Sequence, residues 1–261
     1  MTSLKDKLIQ LGIRPSKGMG QNFLTDKNIA KRQVSAADIT DSDTVLEIGP
    51  GLGILTSEIV EVAGKTIVVE KDLKLANHIS QEFGDRVELI IGDFLEMDLP
   101  PFNKCVSNIP FNISSPLTFK LLGMEFGSAV LMYQKEYARR MTASPGEKEY
   151  SRLSVMTSVN SRVTKLFDVS RNCFYPPPKV DATVIRLEPS VPDFSMKDPE
   201  KYSLVVRELF NYRRKQIKNA LEYGFNIDIP PDLPYGQKRV GKLSPAQIST
   251  IVDFLIDRGL I

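Results

Sequence analysis

The stretch Thr44-Val-Leu-Glu-Ile-Gly-Pro-Gly-Leu-Gly53 decides the fold of this chain. Its first five residues form a short run rich in apolar and β-branched side chains, which predicts a buried strand. The glycines that follow allow a tight turn and let the backbone approach a ligand that a Cβ atom would exclude. Apolar side chains at helical spacing then predict a helix over residues 54–62. This order indicates an α/β fold that binds a nucleotide-like ligand at the turn.

The spacing of the glycines narrows the choice of ligand. The dinucleotide fingerprint G-x-G-x-x-G is absent, because Ile54 and Thr56 stand where its third glycine would fall. A phosphate-binding P-loop is also excluded, since no Gly-Lys-Ser/Thr ending follows. The remaining pattern, E-x-G-x-G-x-G, suits a cofactor that carries adenosine without pyrophosphate. It points to S-adenosylmethionine.

Short apolar runs alternate with amphipathic segments beyond this turn. A helix is predicted from Asp72, a favourable N-cap, to about Phe83. Such alternation is typical of βαβ units and of a mainly parallel sheet. The further predicted strands are 66–70, 87–91, 104–107 and 128–133.

Two carboxylates end strands of this predicted sheet. Glu70 is placed to accept both hydroxyls of a ribose through charge-assisted hydrogen bonds, and Asp93 is placed to meet the adenine edge. Ligands of open α/β sheets bind at the carboxyl ends of the strands, so both are predicted to bind the cofactor with Gly49 and Gly51. Taken singly, Glu70 is better explained as a solvated strand-end charge and Asp93 as a turn former.

The stretch Asn108-Ile-Pro-Phe111 follows the fourth predicted strand. Adenine N6 is a poor nucleophile because its lone pair is delocalised into the ring, and two acceptors aimed at its two hydrogens would counter this. The predicted acceptors are the Asn108 side-chain oxygen and the Ile109 carbonyl, which Pro110 keeps out of a helix. Phe111 offers a flat face for an unstacked base. The alternative is an ordinary strand exit, with Asn108 capping a helix and Phe111 in the core.

The C-terminal third reads differently. Strands are predicted at 163–167 and 182–187, as an antiparallel pair that closes the sheet edge, and helices at 202–223 and 244–258. The proline-interrupted stretch 189–199 between them is the expected linker. We therefore expect a catalytic domain with an N-terminal arm at 1–189 and a small helical domain at 190–261.

The distribution of charged residues along the chain is more informative than the net charge. Lys and Arg number 34 against 32 Asp and Glu, a net charge of only +2. The basic residues of the segment 201–220 nevertheless far outnumber its single acid, Glu208. A solvated helix face would explain this, but phosphate contact is favoured and would make binding salt-dependent. The predicted RNA-binding residues are Arg213, Arg214, Lys215 and Lys218.

Several classes of protein are excluded by composition. The sequence has no apolar run of about 18 residues and no signal peptide, so a cytoplasmic, non-membrane protein is expected. Cys105, Cys173 and the single His78 lack metal-ligand spacing, so neither zinc nor disulfides are expected. Nucleophilic chemistry is disfavoured because the sequence offers no Ser-His or Cys-His pair.

With these motifs in order, the chain resembles the ribosomal RNA adenine dimethyltransferases of the small-subunit branch. Its Leu131-Met-Tyr-Gln stretch is more similar to archaeal and eukaryotic members than to bacterial ones. The similarity spans almost the whole chain. The remaining motifs that carry it are Gly20-Gln-Asn-Phe-Leu24, Leu131-Met-Tyr-Gln-Lys-Glu136, Phe174-Tyr-Pro-Pro-Pro-Lys-Val180 and Phe210-Asn-Tyr-Arg-Arg-Lys215. The resemblance implies a Rossmann-like S-adenosylmethionine-dependent methyltransferase fold with a small C-terminal helical domain.

The resemblance also implies roles that the residues alone do not reveal. Asn22 and Leu24 would bind the cofactor, as would Asn108, and Phe174 would sandwich the target base opposite Phe111. The substrate would be two adjacent adenosines near the 3′ end of small-subunit ribosomal RNA, each dimethylated at N6, within the assembling small subunit. A monomer is expected. Phe111 and Tyr212 depart from the common Tyr and Gln, without loss of a needed group.

Two other functions stay open at this point. One is N6-adenine methylation of another nucleic acid, such as DNA, or methylation of a protein glutamine amide, because both use a similar Asn-x-Pro-aromatic arrangement. The Gly20–Leu24 motif and the basic tail disfavour this alternative. The other is a non-catalytic or dual-role ribosome assembly factor of the same fold. The intact Asn108, Glu70 and Asp93 argue for retained catalysis, with which an assembly role could coexist.

Overall fold

The computed structural model describes residues 8–13, 15 and 20–261, so most of the predicted N-terminal arm lies outside it. The described part of the chain divides into two compact units. The first unit contains the residues up to Ala138 and Thr164–Pro189. The second contains Arg139–Val163 and Ser190–Ile261.

This division differs from the predicted domains in one segment. Residues 139–163 belong to the second unit rather than to the catalytic domain. The physical reason is burial, because Tyr150, Val155 and Val159 are part of the same hydrophobic core as Leu209 and Ile251.

One mixed sheet forms the frame of the first unit. The strands are β1 (Phe23–Leu24), β2 (Thr44–Ile48), β3 (Lys65–Glu70), β4 (Glu88–Ile91), β5 (Lys104–Asn108), β6 (Ser128–Gln134), β7 (Ser161–Val169), β8 (Phe174–Tyr175) and β9 (Ala182–Pro189). Seven of them form a sheet in the order β4-β3-β2-β5-β6-β9-β7, while β1 and β8 form a separate two-stranded ribbon. The pairs among β2 to β6 are parallel, and β9 is antiparallel to β6.

The strand order reverses between β2 and β5. From β2 the chain proceeds outward to β3 and β4, then returns to place β5 on the other side of β2. Strands β2 and β5 pair at Val45↔Lys104 and Leu46↔Cys105, short of their carboxyl ends. Such a reversal leaves a crevice at the carboxyl ends, which is where open α/β sheets bind ligands.

Helices fill the connections between the strands. Their bounds are α1 (Lys27–Ser35), α2 (Thr56–Ile59), α3 (Leu73–Phe83), α4 (Ser114–Leu122), α5 (Lys135–Thr142), α6 (Arg152–Asn160), α7 (Pro199–Asn211), α8 (Ile217–Phe225) and α9 (Pro245–Asp257). Asp72 caps α3 as predicted, by accepting from the backbone N–H groups of Lys74 and Leu75. The helix predicted over 54–62 is shorter, since positive φ angles at Gly51 and Gly53 keep the preceding turn non-helical. None of the described helices is long and apolar enough to cross a membrane.

The helix predicted over residues 202–223 is wrong in one respect, because it is two helices, α7 and α8. The backbone N–H of Val240 donates to the carbonyl of Lys215 at 3.1 Å, and that of Ile217 donates to the carbonyl of Lys238 at 2.9 Å. These bonds form an antiparallel bridge between Gln216 and Arg239, in which Gln216 is extended and interrupts the helix. The motif Arg213-Arg214-Lys215 therefore lies in a turn.

Candidate active site

A cavity of about 240 Å³ lies at the carboxyl ends of the central strands. The catalytic and cofactor residues predicted from the sequence line it, with the exception of Leu24. The predicted residues that it brings together are Asn22, Gly49, Gly51, Glu70, Asp93, Asn108, Ile109, Pro110, Phe111 and Phe174.

The glycine turn after β2 forms one wall of this cavity. Gly49 and Gly51 have φ angles of +68° and +59°, which residues with a Cβ atom rarely adopt. A Cβ atom on Gly51 would lie 3.0 Å from the ring of Phe23. The turn is therefore open to a ligand on one side and closely packed on the other.

Glu70 ends β3 at the cavity wall with 6 % of its surface exposed. One carboxylate oxygen, Oε1, accepts the backbone N–H of Asp72 at 2.9 Å, which fixes the side chain in place. Burial raises the pKa of Glu70 above its ordinary value. A carboxylate has about four lone-pair sites, so this one retains acceptors for a ligand.

Asp93 follows β4 and is held by two hydrogen bonds. Its Oδ1 accepts the backbone N–H of Leu95 at 2.9 Å, and its Oδ2 accepts from the Lys71 ammonium at 2.5 Å. The hydrogen bond from Lys71 is the main reason that the pKa of Asp93 lies below its usual range. The cavity therefore presents an ionised, oriented carboxylate at this point. Lys71 also lines the cavity and was missed by the sequence reasoning, although its place directly after a strand-end carboxylate was a usable signal.

Asn108 ends β5, the strand next to β2, and lines the cavity. Its side-chain oxygen Oδ1 is buried and has no hydrogen-bond partner among the described residues. A buried acceptor without a donor costs about 1–3 kcal/mol, so such an atom calls for a donor that the described residues do not supply. The next residues form an extended exit at Pro110, with φ of −56° and ψ of 123°, and then a short 3₁₀ turn over Phe111–Ile113.

Leu24 is not among the residues that line the cavity, and its role in cofactor binding stays a prediction. It is 4 % exposed and packs in a hydrophobic cluster with Val34, Met132 and Phe174. Its backbone pairs with that of Phe174 in the β1–β8 ribbon. Phe174 and Phe111 belong to the same cluster and both reach the cavity.

Glu47, in the middle of the glycine motif, is buried and accepts a hydrogen bond from the Thr56 hydroxyl at 2.6 Å. Desolvation raises its pKa from 4.5 to about 8. The folded protein thus keeps a proton on Glu47 that the unfolded chain releases above pH 4.5.

This difference predicts a pH-dependent stability. The free energy of unfolding should fall as pH rises from 4.5 to about 8, because the unfolded state then binds fewer protons than the folded state. Glu47→Gln keeps an acceptor for Thr56 and cannot ionise. We expect it to be more stable than wild type by roughly 2–5 kcal/mol at pH 8 and nearly equal at pH 5. Urea unfolding at both pH values checks this, and a difference independent of pH would contradict it.

The predicted RNA-binding residues of the second unit are not equivalent. Arg213 donates to the carbonyl of Glu147 at 2.7 Å, and its Nε is buried without a partner among the described residues. Arg214 and Lys215 are exposed, with the Lys215 ammonium 5.6 Å from the centre of the Tyr223 ring. Lys218 lies 3.7 Å from a carboxylate oxygen on its own helix. The turn therefore presents Arg214 and Lys215 to solvent and uses Arg213 internally.

Comparison with known proteins agrees with this architecture. The family model described as "Ribosomal RNA adenine dimethylase" matches residues 14–257. The probable ribosomal RNA small subunit methyltransferase A of Thermococcus gammatolerans is 40% identical, over 99% of this chain and 97% of that protein. A dimethyladenosine transferase from Plasmodium falciparum superposes with a TM-score of 0.76 at 30% identity, covering 91% of this chain and 98% of that one.

A second solved structure extends the similarity. The 23S rRNA methyltransferase ErmE superposes with a TM-score of 0.71 at 28% identity, covering 90% of this chain and all of that one. These likenesses confirm the predicted Rossmann-like methyltransferase fold. The family match covers well over half of the chain, and the archaeal relative exceeds 30% identity along almost its full length. The chain therefore belongs to the ribosomal RNA adenine dimethylase family.

Proposed function

We propose that this chain uses S-adenosylmethionine to dimethylate N6 of two adjacent adenosines near the 3′ end of small-subunit ribosomal RNA, during assembly of that subunit. The observation that carries the proposal is the buried Asn108 Oδ1, which lacks a donor among the described residues of the cavity wall. An exocyclic amino group is a donor of the right kind for such an acceptor. The cofactor residues lie along the same strand ends.

The residues around the cavity fit the cofactor. Gly49 and Gly51 leave room for it at the turn, Glu70 accepts from the ribose hydroxyls, and Asp93 accepts from the adenine amino group. Asn22 closes this side of the cavity. When bound, S-adenosylmethionine supplies an electrophilic methyl group.

The target base is held on the other side. In the first transfer Asn108 Oδ1 and the carbonyl of Ile109 accept the two N6 hydrogens, which draws the nitrogen towards a tetrahedral arrangement and frees its lone pair for attack. In the second transfer one of these two acceptors receives the single hydrogen that remains on N6. Each transfer would form a bond between N6 and the methyl carbon as the methyl–sulfur bond breaks, leaving S-adenosylhomocysteine and releasing one N6 proton to solvent. Phe111 and Phe174 provide the apolar faces for the base, and stacking on such a face is worth about 1–3 kcal/mol. No carboxylate base is needed.

The test is methyl transfer with labelled S-adenosylmethionine and the purified full chain. The substrates are unmethylated small-subunit particles, the naked small-subunit RNA, large-subunit RNA and DNA, with products mapped at nucleotide resolution. We expect N6,N6-dimethyladenosine at two adjacent positions of the small-subunit RNA. Absence of label on adenine would reject the proposal in favour of an assembly factor, and label on large-subunit RNA or DNA would reassign the substrate. The monomeric state and cytoplasmic location stay predictions.

The exposed turn of the second unit predicts how RNA binding should respond to mutation. Arg214→Ala and Lys215→Ala together should weaken RNA binding about tenfold and reduce the salt slope by about one for each phosphate that is no longer neutralised. Arg213→Ala should instead lower the free energy of unfolding by about 1–2 kcal/mol, because it removes the bond to Glu147.

Filter binding over a salt series and urea unfolding separate the two effects. Arg86→Ala is the matched control, because it removes an exposed arginine that pairs with Glu61 in the first unit. An unchanged salt slope in the Arg214 and Lys215 variant would show that these residues do not contact phosphate.

A further inference from the structure

A strap formed by residues 20–25 passes along the cavity. Its first residues lie beside the part of the cavity that is assigned to the cofactor. Asn22 lines the cavity, and the ring of Phe23 packs against the glycine turn at Gly51. Gly20, with φ of +65°, is so close to Asn112 that a Cβ atom there would lie 2.4 Å from its side-chain oxygen.

The second half of the strap is bonded to a different part of the site. Leu24 is the antiparallel partner of Phe174. Thr25 makes two hydrogen bonds to one acceptor, the carbonyl of Cys173, from its backbone N–H at 2.8 Å and from its hydroxyl at 3.0 Å. This carbonyl immediately precedes Phe174 in the chain.

Phe174 depends on this support more than a strand residue in the main sheet would. It is followed by Pro176, Pro177 and Pro178, which have no N–H group to donate to a ladder. Its ribbon partner β1 is only two residues long. The bonds from Thr25 therefore act together with the hydrogen bond from the Phe174 N–H to the Arg171 carbonyl to fix the backbone beside this aromatic ring.

We infer that Thr25 is a positioning residue for Phe174, and through it for the target adenine. Thr25 itself is exposed, so its side chain is not part of the core. It acts by holding the Cys173 carbonyl, and thus the direction in which the Phe174 ring enters the cavity. Misplacement of a group that positions a substrate is costly even when the reacting residues are intact. The inference rests on the proposed function, because it assigns Phe174 to the target base.

Three variants of Thr25 separate positioning from general stability. Thr25→Val removes only the hydroxyl bond, whereas Thr25→Ser retains it. Thr25→Pro removes both donors and leaves the preceding Leu24 in the extended conformation that it already has. Thr250→Val is the matched control, because it deletes another exposed threonine hydroxyl that donates to a backbone carbonyl, within α9.

Methylation of small-subunit RNA at saturating cofactor is the first readout. We expect kcat/KM for RNA to fall about 3- to 10-fold in Thr25→Val and about 30-fold or more in Thr25→Pro, from the loss of one and two hydrogen bonds. The kcat/KM values of Thr25→Ser and Thr250→Val should stay within about twofold of wild type. The first substitution retains the hydroxyl bond to Cys173, and the second lies elsewhere in the chain. The dissociation constant of S-adenosylhomocysteine should not change in Thr25→Val.

The second readout needs no turnover. An RNA fragment with 2-aminopurine in place of one target adenosine reports stacking through its fluorescence, and Thr25→Val should quench it less than wild type does. Equal fluorescence and equal kcat/KM in the Thr25→Val and Thr25→Ser variants would overturn the inference. A loss of kcat/KM that parallels a drop in melting temperature or in S-adenosylhomocysteine affinity would also overturn it. The fluorescence is measured without methyl transfer. It therefore tests the role of Thr25 even if the wild-type protein proves inactive and the proposed function is rejected.

Discussion

Replacing Asn108 with alanine is expected to lower kcat for adenine methylation by about 10²- to 10³-fold, the range seen when a single preorganised hydrogen-bonding group is removed from a reaction centre. The physical reason is that the buried Oδ1 has no partner among the described residues and is available for the N6 hydrogen. This contact strengthens as N6 becomes tetrahedral, so its loss should appear in kcat more than in KM.

Two variants sharpen this test. Asn108→Asp keeps an acceptor of the same size and should retain more activity than Asn108→Ala. Asn211→Ala removes the same type of side chain from an exposed position on α7, away from the cavity lining, and serves as the matched control. Single-turnover kinetics with saturating RNA is the measurement. Equal rates for wild type and Asn108→Ala, with both folded, would exclude the proposed role of Asn108.

Replacing Glu70 with alanine is expected to weaken binding of S-adenosylmethionine by about 10²- to 10⁴-fold, which corresponds to the loss of two hydrogen bonds to a charged group. Glu70→Gln keeps the size and one acceptor, and should lose about tenfold. Isothermal titration with S-adenosylhomocysteine measures this without turnover. Glu88→Gln, an exposed glutamate on the adjacent strand that pairs with Lys65, is the control.

The raised pKa of Glu70 adds a pH dependence to this prediction. The ribose contacts require the ionised carboxylate, so the affinity should fall as pH decreases through the pKa of Glu70, at a higher pH than an ordinary glutamate would show. The Glu70→Gln variant should lack this acid limb. An identical acid limb in both proteins would assign it to another group.

The sheet was predictable because its signals are local. The strand Thr44–Ile48 has the predicted bounds, and Asp72 caps its helix as expected. The helix predicted over 244–258 is α9, which Ser244 caps and Pro245 begins. Each of these elements is specified by a few neighbouring side chains, whose conformational preferences agree with the final fold.

Elements that depend on distant partners were not predictable in the same way. The break between α7 and α8 is imposed by backbone hydrogen bonds from a segment more than twenty residues further along the chain, although residues 202–223 have helical periodicity throughout. Leu24 likewise carries no local sign that its backbone pairs with Phe174.

By itself, the sequence determined the glycine turn, the parallel strands around it and the carboxylates that end two of them, and hence the class of cofactor. The reason is that parallel strands of one sheet bring their carboxyl ends to one edge. Only the tertiary structure decided that the Asn108 oxygen is buried without a donor among the described residues and that Thr25 supports Phe174. The tertiary structure also decided that the Arg213 Nε is buried and its guanidinium bonds to the Glu147 carbonyl, whereas Arg214 is exposed. These properties depend on which polar groups come into contact after folding, and the local sequence around each residue does not specify those contacts.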